Sequence, residues 1–424
     1  MPAHDLVNRS MFAVLTAIAL MAWVATPAAT LVAAAPAAEA AQRAPTVTAS
    51  LSGIRAVATG PSHSCALTTG GGVFCWGLND DGQLGDGTAY TDRLTPVSVS
   101  GLRSGVIAIA VGRAHSCAVT SRGGVKCWGE NRSGQLGVGT QRHRIVPTDV
   151  QGLTSGVSSV AAGDTHTCAL LTNGTVRCWG QNWYGQLGDG AASYDNRLTP
   201  VPVRGLSGAS AIAAGARHTC VVLRSGGGVR CWGYNYYGQL GDGTTASRAT
   251  SVATSGLSGA SAIVAGESHS CALLTSGVVR CWGSNGSGQL GDGTDASNRL
   301  TPVAVRGLTG ISAIAAGQSY TCAIVRSSGA ARCWGVNTSG QLGNGQADGI
   351  NNTPIAVVGL SSASAIAAGA SHTCAVMRTG GGVRCWGNND YGQLGDGTDL
   401  DSWSPVPVLR VGLGVVRSGR SGAD

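Results

Sequence analysis

This 424-residue sequence contains seven sets of two cysteines, and in six of them a histidine stands two residues before the first cysteine. In the first set, His63 stands two residues before Cys65, and Cys75 follows ten residues later. An imidazole and two thiolates are ligands that zinc prefers, whereas two cysteines in an exported protein form a disulfide. In the sixth set Tyr320 replaces the histidine, and both cysteines remain. A disulfide is therefore favoured over a metal site or a pair of free thiols.

The seven sets account for all 14 cysteines of the chain. The glycine-rich residues 68–72 are typical of the turn of a β-hairpin. Folding the hairpin about Gly70 places Cys65 directly opposite Cys75, where a cross-strand disulfide can form. The predicted disulfides are Cys65–Cys75, Cys117–Cys127, Cys168–Cys178, Cys220–Cys231, Cys271–Cys281, Cys322–Cys333 and Cys374–Cys385.

The other candidates for catalysis or metal binding occur as repeated copies. Six near-identical histidines favour structural hydrogen bonding to loop backbone over acid–base catalysis. The repeated Asp-Gly pairs favour turns over calcium sites, because Val138 and Asn344 stand at the same position in two units. A single active site normally interrupts a repeat, and we find no carboxylate pair, activated nucleophile or metal cluster that does so. We therefore predict no catalytic residue, no metal and no cofactor.

A longer repeat positions these sets along the chain. The first cysteines of successive sets are 51 or 52 residues apart, and each unit contains short strands separated by glycine-rich turns. Repeats of about 40–50 residues with a few strands each are typical of β-propeller blades. The sequence therefore predicts an all-β, seven-bladed propeller with one hairpin disulfide in each blade.

The ends of the repeat region predict how the ring closes. An outer strand is expected at residues 95–99, with copies in later units and a last copy at residues 404–408. Residues 46–60 align without gaps onto residues 303–317, so a further copy precedes the first unit. Eight copies for seven blades predict that a terminal copy closes the ring, and the sequence leaves open which one.

Two segments of each unit resemble the regulator of chromosome condensation repeat. In the first unit they are HSCAL at residues 63–67 and WGxNxxGQLG at residues 76–85. The resemblance covers residues 46 to 408 and implies a seven-bladed propeller. It does not imply one function, because the eukaryotic namesake is a nuclear exchange factor for a small GTPase and other members are secreted bacterial proteins. The even repeat spacing leaves no room for an inserted catalytic wedge, which argues against exchange activity.

Positions that differ between the units are the candidates for recognition. The variable residues of the WGxNxxG motif are aromatic in the third, fourth and seventh units and small, polar or charged elsewhere. Equivalent positions share one rim of a propeller, so we expect these rings to form an arc of binding anchors. Ordinary packing of half-buried rim aromatics is the alternative. The predicted binding residues are Trp183, Tyr184, Tyr234, Tyr236, Tyr237, Asp390, Tyr391 and Trp403.

Two further sets of positions vary in charge or length. The residues shortly before the repeated histidines include Arg113, Asp164, Arg217 and Glu267, which alternate in sign. The loops that follow the GDGT motif differ in length and charge, for example at residues 141–146 and 348–352. Either set is predicted to tune the choice of partner.

The two ends of the chain differ in composition from the repeats. Residues 1–40 are predicted to be a signal peptide, because an uncharged run follows Arg9 and residues 38–40 fit an A-x-A cleavage site. An uncleaved membrane anchor is the alternative. Residues 41–45 are expected to be a linker, residues 46–408 the propeller and residues 409–424 a flexible tail. No second hydrophobic span follows, so we expect no stable membrane insertion after signal removal.

The net charge of +7 is spread over the chain, without the concentrated basic stripe that nucleic-acid binding requires. We therefore expect a monomer that is secreted or extracytoplasmic and binds no nucleic acid. Its expected function is that of a protein-interaction scaffold, which binds an extracellular or cell-envelope protein through loops on one propeller face. The alternatives are an envelope carbohydrate-binding module, since aromatic arcs also stack on glycan rings, and a nucleotide exchange factor for a small GTPase.

Overall fold

The computed structural model describes residues 47–411, and the regular structure of this range consists entirely of β-strands. The predicted signal peptide (1–40), the predicted linker (41–45) and residues 412–424 of the predicted tail lie outside the described residues. Within residues 47–411 no helix is long and apolar enough to cross a membrane.

Seven antiparallel sheets form the blades, and each consists of four strands that are consecutive in sequence. This arrangement confirms the predicted seven-bladed propeller. The first strands are β2 (Ile54–Thr59), β6 (Val106–Val111), β10 (Val157–Ala162), β14 (Ala209–Ala214), β18 (Ala260–Ala265), β22 (Ile311–Ala316) and β26 (Ala363–Ala368). The second strands are β3 (His63–Thr68), β7 (His115–Thr120), β11 (His166–Leu171), β15 (His218–Leu223), β19 (His269–Leu274), β23 (Tyr320–Val325) and β27 (His372–Met377).

The remaining two strands of each blade lie further from the ring axis. The third strands are β4 (Val73–Gly77), β8 (Val125–Gly129), β12 (Val176–Gly180), β16 (Val229–Gly233), β20 (Val279–Gly283), β24 (Ala331–Val336) and β28 (Val383–Gly387). The fourth strands are β5 (Arg93–Ser98), β9 (Arg144–Asp149), β13 (Arg197–Pro202), β17 (Arg248–Ala253), β21 (Arg299–Ala304), β25 (Ile350–Ala356) and β29 (Ser402–Pro407).

The core lies between neighbouring blades rather than inside any one sheet. The first five residues of every second strand are buried, whereas most residues of the fourth strands are half-buried or exposed. A sheet that is covered on both faces needs apolar or hydrogen-bonded side chains at every position, which explains why the second strands do not alternate. Each of the seven clusters of buried side chains joins two adjacent blades.

The structure confirms all seven predicted disulfides. In the first blade β3 and β4 pair in the predicted register, with Cys65 opposite Cys75 and Ala66 opposite Phe74. The Cα atoms of each bridged pair are 4.0–4.1 Å apart, and no described cysteine is free. Each disulfide therefore joins the second and third strands of a single blade.

Ring closure differs from the prediction. Each blade takes its fourth strand from its own repeat, and residues 46–60 supply no additional outer strand to any blade. Instead β1 (Val47–Ser50) pairs with β30 (Leu409–Val411) in a separate two-stranded sheet, and Leu51 N donates to the Val408 carbonyl at 2.8 Å. The prediction of a flexible tail from residue 409 is therefore wrong for Leu409–Val411, because this strand pairs with the start of the propeller.

Successive strands of a blade run in opposite directions, so the loops that join them alternate between the two faces of the ring. The loops between first and second strands and those between third and fourth strands share one face, which we call the loop face. The WGxNxxGQLGDGT motif occupies the longer of these two loops. The predicted aromatic positions of this motif therefore lie on the loop face, whereas Trp403 lies in β29.

Candidate functional site

The repeated histidines connect each blade to the next one. His63 Nε2 lies 2.9 Å from Ser116 Oγ of the second blade, and Ser116 Oγ donates to the Gln83 carbonyl at 2.9 Å. Because the serine proton is used in that bond, Nε2 must be the donor to Oγ. The other five histidines make the same contact at 2.8–3.0 Å, including the contact from His372 to Ser64 that closes the ring. The prediction of donation to loop backbone is wrong, since the acceptor is a side-chain hydroxyl.

The repeated tryptophans and glutamines complete this contact. Trp128 Nε1 of the second blade donates to the Gln83 carbonyl of the first blade at 2.9 Å, and the Gln83 side-chain oxygen accepts from Asp81 N. All seven tryptophans make this bond to the preceding blade at 2.8–2.9 Å. We call the seven repeated sets of tryptophan, glutamine, hydroxyl and histidine the inter-blade layer.

The sixth blade keeps the contact with a different side chain. The Tyr320 hydroxyl donates to the His372 carbonyl at 2.6 Å and lies 2.9 Å from Thr373 Oγ1. Tyr320 is fully buried, and burial raises the pKa of its phenol. The inter-blade layer therefore contains six histidines and one tyrosine with the same structural role.

The Asp-Gly pairs behave as predicted, as turns. Asp86 Oδ1 accepts from the backbone N and the hydroxyl of Thr88 at 2.9 and 2.6 Å, and Asp86 Oδ2 accepts from Arg93 at 2.7 Å. Although burial raises the pKa of Asp86, the bonds from Thr88 and Arg93 hold it below its ordinary value. Equivalent ion pairs join Asp189 to Arg197 and Asp292 to Arg299.

Part of the predicted aromatic set forms one cluster on the loop face of the third and fourth blades. Ring centroids are 4.7 Å apart between Tyr184 and Tyr234, and 5.1 Å apart between Tyr236 and Tyr237. Tyr234 links the two pairs, because its ring lies 6.5 Å from Tyr236 and 6.3 Å from Tyr237. These distances are typical of interacting aromatic rings. We call Tyr184, Tyr234, Tyr236 and Tyr237 the tyrosine cluster.

Trp183 belongs to a second aromatic pair in the third blade. Its ring lies 5.5 Å from that of Tyr194, which stands in the loop after the Asp-Gly turn. Both rings are strongly exposed, at 46% for Trp183 and 83% for Tyr194. Tyr194 lies outside the WGxNxxG motif, so the variable positions of that motif do not point to it.

The three other predicted binding residues lie elsewhere, so the expected single arc is wrong for the seventh blade. Asp390 and Tyr391 are exposed in the loop of that blade, and at least two blades separate them from the tyrosine cluster in either direction. Trp403 lies against Gly340 of the sixth blade, at a position that Leu94 and Leu198 occupy in other blades. The outer strand thus packs on a glycine of the preceding loop, where any Cβ would overlap it.

Three charged side chains line the axial opening on the same face. The first strands converge at the axis so closely that a Cβ on Gly60 would overlap the carbonyl oxygen of Gly112. An axial cavity of about 350 Å³ lies there, and residues of all seven blades line it. Arg113, Asp164 and Glu267 line this cavity, as the residues that directly follow the innermost glycines of their blades.

A second cavity joins these charges to the tyrosine cluster. It has a volume of about 310 Å³ and lies on the loop face, where residues of the third to sixth blades line it. It shares Asp164 and Glu267 with the axial cavity. We call it the side cavity. Six of the side chains that line it are Asp164, Arg217, Tyr234, Tyr237, Glu267 and Gln289. The aromatic and charged sets that the sequence placed separately therefore meet at one site.

The electrostatics of the side cavity are uneven. Burial, and then the charge of Glu267, raise the pKa of Asp164, while Arg113 and Arg217 lower it. The Arg217 guanidinium lies 5.6 Å from the centroid of the Tyr184 ring, within the range of a cation–π contact. Burial also raises the pKa of Tyr234, followed by the effect of the neighbouring Tyr237. The phenol of Tyr234 therefore remains a neutral hydrogen-bonding group at physiological pH.

Several polar residues of the side cavity could not be found from the sequence. Ser268, Ser284, Gln318 and Ser319 line it from the fifth and sixth blades. Two of these, Ser268 and Ser319, directly precede the repeated histidine or its tyrosine replacement, and such small polar residues carry no signal by themselves. Within residues 47–411 no group of three histidine, cysteine, aspartate or glutamate residues could hold a metal ion.

Together these features define a class of protein, a disulfide-bridged propeller with a repeated buried layer and one uneven loop face. The RCC1-like domain model matches residues 36–364, and the regulator of chromosome condensation (RCC1) repeat models match residues 363–393 and 380–417. The chain belongs to the RCC1-like propeller family.

Known relatives of this chain have different functions. The chain is 33% identical over 360 residues to the ultraviolet-B receptor UVR8 of Arabidopsis thaliana, a match that covers 83% of this chain and 69% of the receptor. It is 37% identical over 196 residues to the probable E3 ubiquitin-protein ligase HERC4 of Homo sapiens, which covers 45% of this chain but 18% of the ligase. Yeast RCC1 (Prp20), solved bound to Kap60, has a TM-score of 0.71 at 23% identity, over 81% of this chain and 84% of that chain. At this identity, the similarity to yeast RCC1 shows only that the two chains share a fold.

Proposed function

We propose that this chain is a protein-binding scaffold that acts outside the cytoplasm and holds its partner on the loop face of the third to fifth blades. The observation that carries the proposal is the tyrosine cluster, which lies directly beside the side cavity. Its members are half-buried except for Tyr236, which is exposed. Tyrosines in this position next to a pocket are typical anchors of protein interfaces. On this reading the repeated inter-blade layer supports the face, and the unrepeated side chains bind.

The exposure of Tyr236 supports a role in binding rather than in folding. Its side chain is 66% exposed, although Tyr234 stacks beside it with an angle of 12° between the rings. A large ring in this position contributes little to the core, while it offers a rigid apolar surface to a partner. Yeast RCC1 (Prp20), which shares the fold, is solved bound to the protein Kap60.

Two features support a location outside the cytoplasm. The seven disulfides are of a kind that persists in oxidising compartments and is rare in the cytosol. The uncharged run of residues 11–35 and the A-x-A motif at residues 38–40 fit a signal peptide. The test is the mass of the protein recovered from the medium of the producing organism. A mature chain that begins at Ala41 is expected, and retention in the cytoplasm with free thiols would contradict export.

Catalysis is not part of this proposal. The match to the ligase HERC4 covers 18% of that protein, so its printed activity is not carried over to this chain. The aromatic and charged side chains that line the side cavity are two tyrosines, one arginine and two carboxylates. The two carboxylates belong to different blades. None of these is a nucleophile with an adjacent base, so the site is built to bind.

The proposal is tested by capturing the partner from the medium of the producing organism with the immobilised mature chain. Replacing Tyr236 with Ala is expected to abolish capture of the partner, because an exposed aromatic anchor is lost. The matched control is Tyr391→Ala, which removes an exposed tyrosine from the same loop of the seventh blade. Equal capture by wild type and Tyr236→Ala would discard the tyrosine cluster as the binding site.

A glycan array separates protein binding from the alternative of carbohydrate binding. Under the proposal, the wild-type chain retains no glycan whose binding is reduced by Tyr236→Ala or Trp183→Ala. Retention of one glycan class, lost in both variants, would replace a protein partner by a carbohydrate.

A further inference from the structure

We propose that the side cavity receives one basic side chain, an arginine or a lysine, from the protein partner. The inference rests on the proposed function and adds the chemistry by which the partner is recognised. It follows from the charges, the aromatic walls and the size of the cavity.

Two carboxylates of the cavity are open to a new partner. Asp164 and Glu267 line it from the third and fifth blades, and neither forms a salt bridge with another described residue. Arg217 stands between them in blade order, but its guanidinium lies over the Tyr184 ring. Two carboxylates and one arginine that already has an aromatic contact therefore line the side cavity, while Arg113 lines only the axial cavity. A second cation is thus favoured over an anion.

The aromatic wall favours the same occupant. Tyr234 and Tyr237 line the cavity, and their ring centroids are 6.3 Å apart with nearly perpendicular planes. A cation over the face of a tyrosine is attracted by the ring quadrupole, whereas an anion is repelled. A planar guanidinium can stack on the ring and donate to a carboxylate at the same time.

The size of the cavity limits the occupant to a small group. Its volume of about 310 Å³ is at the lower end of the range for small-molecule sites, about 300–1,000 Å³. The tyrosines line the cavity from the fourth blade, and polar groups line it from the fifth and sixth blades. These polar groups belong to Ser284, Gln289 and Ser319. The site thus fits one long polar side chain better than a bulky apolar one, which would leave the two carboxylates without a partner.

The experiment uses fluorine NMR of the mature chain labelled with 3-fluorotyrosine, which has eight tyrosines to report. The probes are N-acetyl-argininamide, N-acetyl-lysinamide and the uncharged N-acetyl-citrullinamide. The signals of Tyr234 and Tyr237, assigned by Tyr→Phe variants, are expected to shift saturably with the two cations and not with citrullinamide. The signal of Tyr391, in the seventh blade, is expected to stay unchanged.

The variant that tests the carboxylates carries Asp164→Asn and Glu267→Gln. It is expected to bind N-acetyl-argininamide about fivefold more weakly or worse, since two charge contacts are lost. The matched control carries Asp80→Asn and Asp399→Asn, which removes the same charge from exposed positions in the loops of the first and seventh blades. Should the first variant fail to fold, the affinity of the wild-type chain must still fall as salt is raised.

Equal shifts with citrullinamide, or equal affinity in both double variants, would overturn the inference. Those outcomes would leave the proposed function standing if Tyr236→Ala still abolished capture of the partner. The reverse result, arginine binding without any captured protein, would instead remove the proposed function and leave only a cation site.

Discussion

The inter-blade layer and the loop face are built from the same seven repeats, but the repeats agree in one and differ in the other. In the layer every blade contributes the same tryptophan–glutamine bond, and Tyr320 maintains the contact where the histidine is missing. On the loop face the tyrosine cluster occurs only at the third and fourth blades. Polar groups in the layer are buried, so a blade that lost one of these inter-blade hydrogen bonds would lose free energy of folding. Exposed loop residues have no such requirement and are free to vary.

The largest expected effect is the loss of unfolding free energy when the histidines of the inter-blade layer are exposed to acid pH. Burial lowers the pKa of His63, His115, His218 and His372 to about 3, and of His166 and His269 to about 4. In the unfolded chain these groups regain a pKa near 6.5, so their stabilisation is complete above that pH and is lost as the pH falls toward 4. Each histidine costs about 1.4 kcal/mol of unfolding free energy for every pH unit below 6.5.

The measurement is the free energy of unfolding by denaturant between pH 7 and 4.5, together with the proton uptake on unfolding. We expect the uptake to approach one proton for each of the six layer histidines, since Tyr320 has none to contribute. The aspartate turns titrate at lower pH, because hydrogen bonds hold the pKa of Asp86 and Asp242 below their ordinary value in spite of burial. An uptake of only one or two protons would show that the layer is already open near neutral pH.

A smaller effect is expected from removing one disulfide. Replacing Cys168 and Cys178 with Ala opens a loop whose ends are ten residues apart in sequence. The chain-entropy model assigns such a loop about 3 kcal/mol of unfolding free energy. The same change at Cys271 and Cys281 is expected to cost the same within about 1 kcal/mol, because both hairpins lie in equivalent buried sites. A large difference between the two blades, measured by denaturant unfolding, would show that the repeats are not energetically equal.

The smallest effect is expected on the loop face. Tyr236→Ala should change the free energy of unfolding by no more than about 0.5 kcal/mol, as is usual for an exposed side chain. Tyr391→Ala serves as its control, and denaturant unfolding of both variants gives the comparison. If Tyr236→Ala lowered the free energy of unfolding by more than about 2 kcal/mol, the tyrosine cluster would be needed for the stability of the propeller.

The repeated parts of the fold could be predicted because every repeat contains all the residues of the local pattern. The spacing of Cys65 and Cys75 across a glycine-rich turn was enough to predict the strand register and the disulfide. Copies that agree seven times leave few alternatives to such local patterns.

The candidate site was predicted only in part because it depends on contacts between repeats. The motif suggested that Tyr391 would join Tyr236, yet their blades are not neighbours in the ring. Asp164 and Glu267 were identified as variable charges, but nothing local places them in one cavity with Tyr234. The pairing of Leu409–Val411 with the first strand likewise joins opposite ends of the chain.

The sequence by itself determined the number of blades and the disulfides, because these rest on interactions that recur within each unit. Only the tertiary structure decided which unrepeated side chains meet, because closing the ring brings the loops of the third to sixth blades around one cavity. Long-range contact of this kind depends on the position of each blade in the circle, and a blade's own residues carry no signal of its neighbours' loops.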